Sequence, residues 1–129
     1  MKTLKEYVNE ASLSSRMKGY GVFNGAKYVN YFDTSNKYKD VKDIAEKLIE
    51  ELESCNNNCK LSFGHTMYNP ADFSWFTDGL KHLDELDEKD YSIIDIDTKY
   101  KYKNRFHPTL WARGNGKDVH WNIKTQSWE

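Results

Sequence analysis

Two histidines stand in similar apolar settings toward the end of the chain, His107 in RFHPTLW and His120 in DVHWNIK. Imidazole titrates nearest neutrality, so a pair of them can act as general acid and general base. Thr109 follows His107 by two residues and completes the candidate catalytic set. A second pair is acidic, Asp95 and Asp97 in IIDID. Carboxylates two apart on a strand point the same way and can share a divalent cation, as in a strand-borne nuclease site. Lys99, Lys101 and Lys103 continue that row, however, and no third ligand is evident, so a solvated sheet face explains the pattern equally well.

Three further sets carry less. Cys55, Cys59 and His65 form a C-x3-C-x5-H array, with His82 the only further nitrogen near enough to serve. Structural zinc takes four ligands. The plainer reading puts Cys55 on the core side of a helix end and Cys59 in a loop. KYKYKNRF, with Trp111 and Arg113 beyond it, interleaves cations and rings as single-strand binders do. On a strand, Tyr100 and Tyr102 face away from the lysines, which argues against nucleic acid. Gly19, Gly21, Gly25, Gly114 and Gly116 lack phosphate-loop spacing and read as turn residues. No cofactor motif is present.

F-H-P-T-L resembles the H-x-[ST]-x motif of the 2H phosphoesterases. The resemblance implies imidazoles from two such motifs across a phosphodiester, with hydroxyls on the phosphate. The second copy departs from the pattern, because Asn122 stands where a hydroxyl residue belongs. The two copies also sit on neighbouring strands, without the half-domain that separates them in that family. The metal pair and this pair together define the enzymatic alternative, a phosphodiesterase or nuclease using His107 and His120 or a metal at Asp95 and Asp97.

The elements that would position these residues follow from periodicity. VKDIAEKLIEELESC places Val41, Ile44, Ala45, Leu48, Leu52 and Cys55 on one helix face, with Asp40 as its N-cap. ADFSWFTDGLKHLDEL reads as a second helix after Asn69-Pro70, weakened by Gly79. YGVFNGAKYVNYF flanks Asn24-Gly25 with two strand-prone runs, a hairpin signal. LSFGH reads as a short strand. YSIIDIDTKYKYK alternates throughout, with Ile94, Ile96, Thr98, Tyr100 and Tyr102 on one side. RFHPTLWA and DVHWNIKTQSW are two more strands joined at RGNGK, and Val119, Trp121, Ile123 and Thr125 share a face of the second. The expected fold is α+β: a largely antiparallel sheet of about 4–6 strands, two main helices on one face and a short N-terminal amphipathic helix. Residues 1–11 form that helix, 12–19 a linker and 20–129 a single domain.

Composition narrows the function classes. The 129 residues suffice for one core. Aromatic residues make up 15%, so much of that core is Tyr, Phe and Trp. A net charge of −1 does not suit a general nucleic-acid binder and leaves room only for a local basic patch. No segment approaches the roughly 18 apolar residues of a membrane span, and the N-terminus lacks the apolar region of a signal peptide. Two cysteines make no disulfide framework, so reduced thiols and an intracellular setting are expected.

In MKTLKEYVNEA, Leu4, Tyr7, Val8 and Ala11 fall on one helix face. A helix this short needs a docking surface. The stretch resembles the capsid-targeting segment of internal head proteins of large contractile-tailed phages. The resemblance implies that Leu4, Tyr7 and Val8 dock and that a phage protease cuts after Glu10. The sequence thus reads as a non-enzymatic phage or mobile-element protein with a protein partner, located in the host cytoplasm or the phage head. It would serve as a packaged internal head protein or as an inhibitor of a host defence enzyme. Trp111, Trp121 and Trp128 are its candidate interface anchors. A toxin-neutralising immunity protein is a further reading.

Overall fold

The computed structural model describes residues 20–31, 36–54, 58–63 and 66–129. The targeting residues Leu4, Tyr7, Val8 and Glu10, and also Cys55 and His65, lie outside them. The fold is α+β with antiparallel strands and two α-helices among the described residues. The strands divide between two four-stranded sheets and a separate small hairpin, rather than forming one sheet.

In the first sheet, β1 (Gly21–Asn24) turns into β2 (Lys27–Asn30). Gly25 takes φ +61° there, while Asn24 is the last strand residue, paired with Lys27. β3 (Cys59–Phe63) pairs with β1, and β4 (Thr66–Tyr68) closes the other edge. Cys59 is therefore a fully buried strand residue and not a loop residue. It is disulfide-bonded, contrary to the expectation of reduced thiols, and Cys55 is the chain's one other cysteine.

Helix α1 (Tyr38–Ser54) starts two residues before the expected cap, which leaves Asp40 inside its first turn. Tyr38 is the reason. Its side chain is buried and its hydroxyl donates to the carbonyls of Leu83 and Leu86, anchoring the helix start. Val41, Ala45, Leu48 and Leu52 form the buried stripe. Helix α2 (Pro70–Leu80) has Pro at its first turn, where no N–H is needed. It stops at Leu80, and Leu83–Glu85 continues as a 3₁₀ turn rather than as helix. α2 packs against β3 of the first sheet and also against the second sheet.

The second sheet runs in the order β10-β9-β8-β5: β5 (Ile93–Asp97), β8 (Thr109–Gly114), β9 (Lys117–Asn122) and β10 (Ser127–Trp128). Ile94, Ile96, Leu110, Ala112 and Trp121 form its buried face. Two strand expectations shorten here. Ile123 and Thr125 fall in a turn before β10, because Asn122 accepts from the amides of Lys124 and Thr125 and bends the chain. β5 ends at Asp97, whose carboxylate accepts from the Lys99 amide and turns the chain out of the sheet. Residues beyond it form a separate hairpin, β6 (Lys101–Tyr102) with β7 (Arg105–Phe106). No helix among the described residues is long and apolar enough to cross a membrane.

Candidate functional site

The first turns of α2 hold the hairpin in place. Asp72 and Trp75, three apart, share one face of the helix. The Asp72 carboxylate receives Arg105 through two parallel bonds, Nε at 2.7 Å and Nη2 at 2.8 Å. That bond to Arg105 holds the Asp72 carboxyl below its usual range against the opposing pull of burial, and it raises the guanidinium pKa in turn. Trp75 lies flat on His107, with centroids 4.4 Å apart and planes 15° from parallel. Tyr100 and Tyr102 meet the same indole at 5.1 and 5.8 Å. The His107 amide donates to the Tyr100 carbonyl at 2.9 Å and closes the hairpin's base.

The hairpin turns at Lys103 and Asn104, both at positive φ, 50° and 65°. Two left-handed residues in a two-residue loop make the type I′ geometry, which matches strand twist. Pairing places Tyr102 opposite Arg105 and Lys101 opposite Phe106. Side chains of directly opposed residues share a face. Tyr102 and Arg105 accordingly turn toward α2, and Lys101 and Phe106 turn away from it. Phe106 is 49% exposed and Tyr100 42%. The Lys101 ammonium sits 5.6 Å from the Phe106 ring, and Lys103 and Lys124 lie 5.5 and 4.1 Å from Tyr102. The expectation that Tyr100 and Tyr102 face away from the lysines did not cover Phe106, which the I′ turn folds back opposite Lys101.

His107 is buried, with Nδ1 3.3 Å from the Asp72 carbonyl oxygen. A carbonyl only accepts, so Nδ1 carries the proton in this contact. Thr109 is buried too, and its hydroxyl donates to the His107 carbonyl at 3.2 Å. His120 pairs with Trp111 across β8–β9, ring centroids 4.9 Å apart. It lines a cleft of about 60 Å³ with Trp75, Tyr100, Thr109 and Lys124. That volume holds a few waters. The structure thus brings His120 and Thr109 to one cleft, and His107 is not among its lining residues.

Asp95 and Asp97 sit on the same side of β5, but each is engaged. Asp95 accepts from Asn36 at 3.1 Å and from Arg113 at 3.3 Å, and Asp97 is occupied by the Lys99 amide. Among the described residues no group of three His, Cys, Asp or Glu side chains is placed to hold a metal ion. His82 stacks on Trp121 at 4.2 Å and bonds to Glu85 at 2.7 Å.

Two tryptophans named as interface anchors serve the interior. Trp121 is 1% exposed and donates to Asp78 at 2.7 Å. Trp128 is half-buried and donates to the His82 carbonyl at 3.0 Å. Trp111 is half-buried on the far face of the sheet under Arg113, 4.9 Å away. Asp72, Trp75, Arg105 and Phe106 were not singled out by sequence reasoning. The D-x-x-W spacing on a helix was visible, but nothing in the sequence linked it to a hairpin some thirty residues later.

No family model matches this chain, and no curated protein or solved structure matches it.

Proposed function

We propose that this protein works by contact and not by catalysis, binding an anionic partner through the Lys99–Phe106 hairpin and the residues beside it. The observation that supports this reading is the hairpin's own construction. It stands outside both sheets, it is pinned from beneath by Asp72 and Trp75, and it carries Lys101, Lys103 and Phe106 into solvent. No Asp or Glu occurs between Asp97 and Asp118, whereas Lys99, Lys101, Lys103, Arg105, Arg113 and Lys117 do. A chain of net charge −1 therefore carries six basic and no acidic residues over 98–117.

Cargo of a phage head, inhibition of a defence enzyme and neutralisation of a toxin are all roles of this contact kind. The residues that suggested the first, 1–11, lie outside the described part of the chain. The phosphodiesterase reading has less support, because His107 is buried under Trp75 and does not line the cleft that holds His120.

The test is retention on two immobilised polyanions, oligothymidylate and poly-L-glutamate, for the wild type and the K101E/K103E variant. Retention of the wild type on at least one matrix, lost in the variant, is the expected result. Passage of the wild type through both would overturn the reading.

A further inference from the structure

Resting on that reading of the hairpin as the working surface, we infer that its ligand is single-stranded nucleic acid. Phe106 would stack an unpaired base while Lys101 and Lys103 contact the flanking phosphates.

The cations fit a polyanion whose charges are spread along a chain. Bidentate recognition of a single carboxylate or phosphate draws on the planar fork of arginine. The hairpin's one arginine, Arg105, already spends that fork on Asp72. What remains for a ligand is Lys99, Lys101, Lys103 and Lys124, all exposed. Lysines are point charges on flexible stems and attract successive anions through charge rather than fixed geometry. The rings, not the cations, then distinguish a nucleic acid from an acidic protein segment.

The rings favour a single strand over a duplex. Phe106 is half exposed on the lysine side, and Tyr100 is nearly as exposed at the hairpin's base, near Lys124 in the cleft lining. The Lys101 ammonium lies over one face of the Phe106 ring, 5.6 Å from its centroid, so a base would stack on the other face with the cation at hand for its phosphate. A paired base hides its faces in the stack and cannot use the ring. The hairpin is also too short to lay a ribbon along a major groove, with two residues in each strand. Its rigidity matters as well: the Asp72–Arg105 bonds and the Trp75–His107 stack set the ring's position before a ligand arrives.

The experiment uses the full chain and a fluorescein-labelled oligothymidylate of about 15 nucleotides, read by anisotropy across a salt series, with poly-L-glutamate as competitor. The expected result is binding whose affinity falls with a log–log salt slope of about −1.4, for the two lysine contacts. Phe106→Ala should weaken binding about tenfold with the slope kept, since one stack is lost and no charge. K101E/K103E should weaken it further and flatten the slope. Circular dichroism should show both variants folded, since the altered positions are exposed. Affinity unchanged by Phe106→Ala would overturn the inference, because charge alone would then explain the binding. Displacement by poly-L-glutamate at lower charge concentration than by unlabelled oligonucleotide would also overturn it and leave the contact reading standing. Failure to bind either polymer would overturn both.

Discussion

His107 lies flat against Trp75, 4.4 Å between ring centroids, and this stack joins a helix of the core to a hairpin that belongs to neither sheet. The indole also meets Tyr100 and Tyr102, so one side chain organises the hairpin's whole inner face. Trp75→Ala is expected to destabilise the protein by about 2 kcal/mol. It should also speed amide hydrogen exchange at His107, whose N–H bonds to Tyr100, more than at Leu61 in the first sheet. Equal acceleration at both amides would mean that the stack supports the whole domain and not the hairpin.

The Asp72–Arg105 pair predicts a pH dependence with a definite sign. The Asp72 carboxyl is lowered from 3.8 in the folded protein, chiefly by the bonds from Arg105. A depressed carboxyl stabilises the fold above its unfolded value and loses that contribution as pH falls through the folded one. Asp72→Asn should therefore melt several degrees below wild type at pH 7, with the gap closing on acidification below about pH 4. A gap that stays constant down to pH 2.5 would contradict the pair's role.

Gly114 ends β8 against the backbone of the loop that leads into β5. A Cβ there would collide with the Asp90 carbonyl oxygen and come within 2.9 Å of the Tyr91 Cα, neither of which can swing away. Gly114→Ala should cost about 2–3 kcal/mol in urea unfolding. Gly116, at φ +77° with open space around it, should lose only about 1–2 kcal/mol on the same change, from backbone strain alone. The reverse ranking would mean that the loop at Asp90 gives way.

Reduction should be measurable in stability. Cys59 is fully buried and disulfide-bonded. A disulfide is worth about 2–4 kcal/mol, chiefly by constraining the unfolded chain. Dithiothreitol, or Cys59→Ser, should lower the urea midpoint accordingly, and no change on reduction would show that the link contributes nothing.

Where burial imposes a period, the fold was legible. The stripe Val41–Ala45–Leu48–Leu52, the alternation of Ile94 and Ile96, and the turns at Gly25 and Gly116 all declare themselves locally. The reading failed where a side chain or a distant partner ended an element. Asp97 and Asn122 cap backbone amides and stop strands that alternation alone would continue. Tyr38 starts its helix early because its hydroxyl reaches carbonyls some 45 residues away.

The candidate site shows the same division. The ingredients, an acid-free stretch of lysines and rings, are legible in the chain alone, since charge and aromaticity belong to the residues. Which ring stands on which side is settled by folding. That outcome rests on a type I′ turn at Lys103-Asn104 and on contacts from Asp72 and Trp75, residues separated by about thirty positions from the hairpin they hold. Pairing across such a distance is set by the packing of the whole core, and no local pattern encodes it.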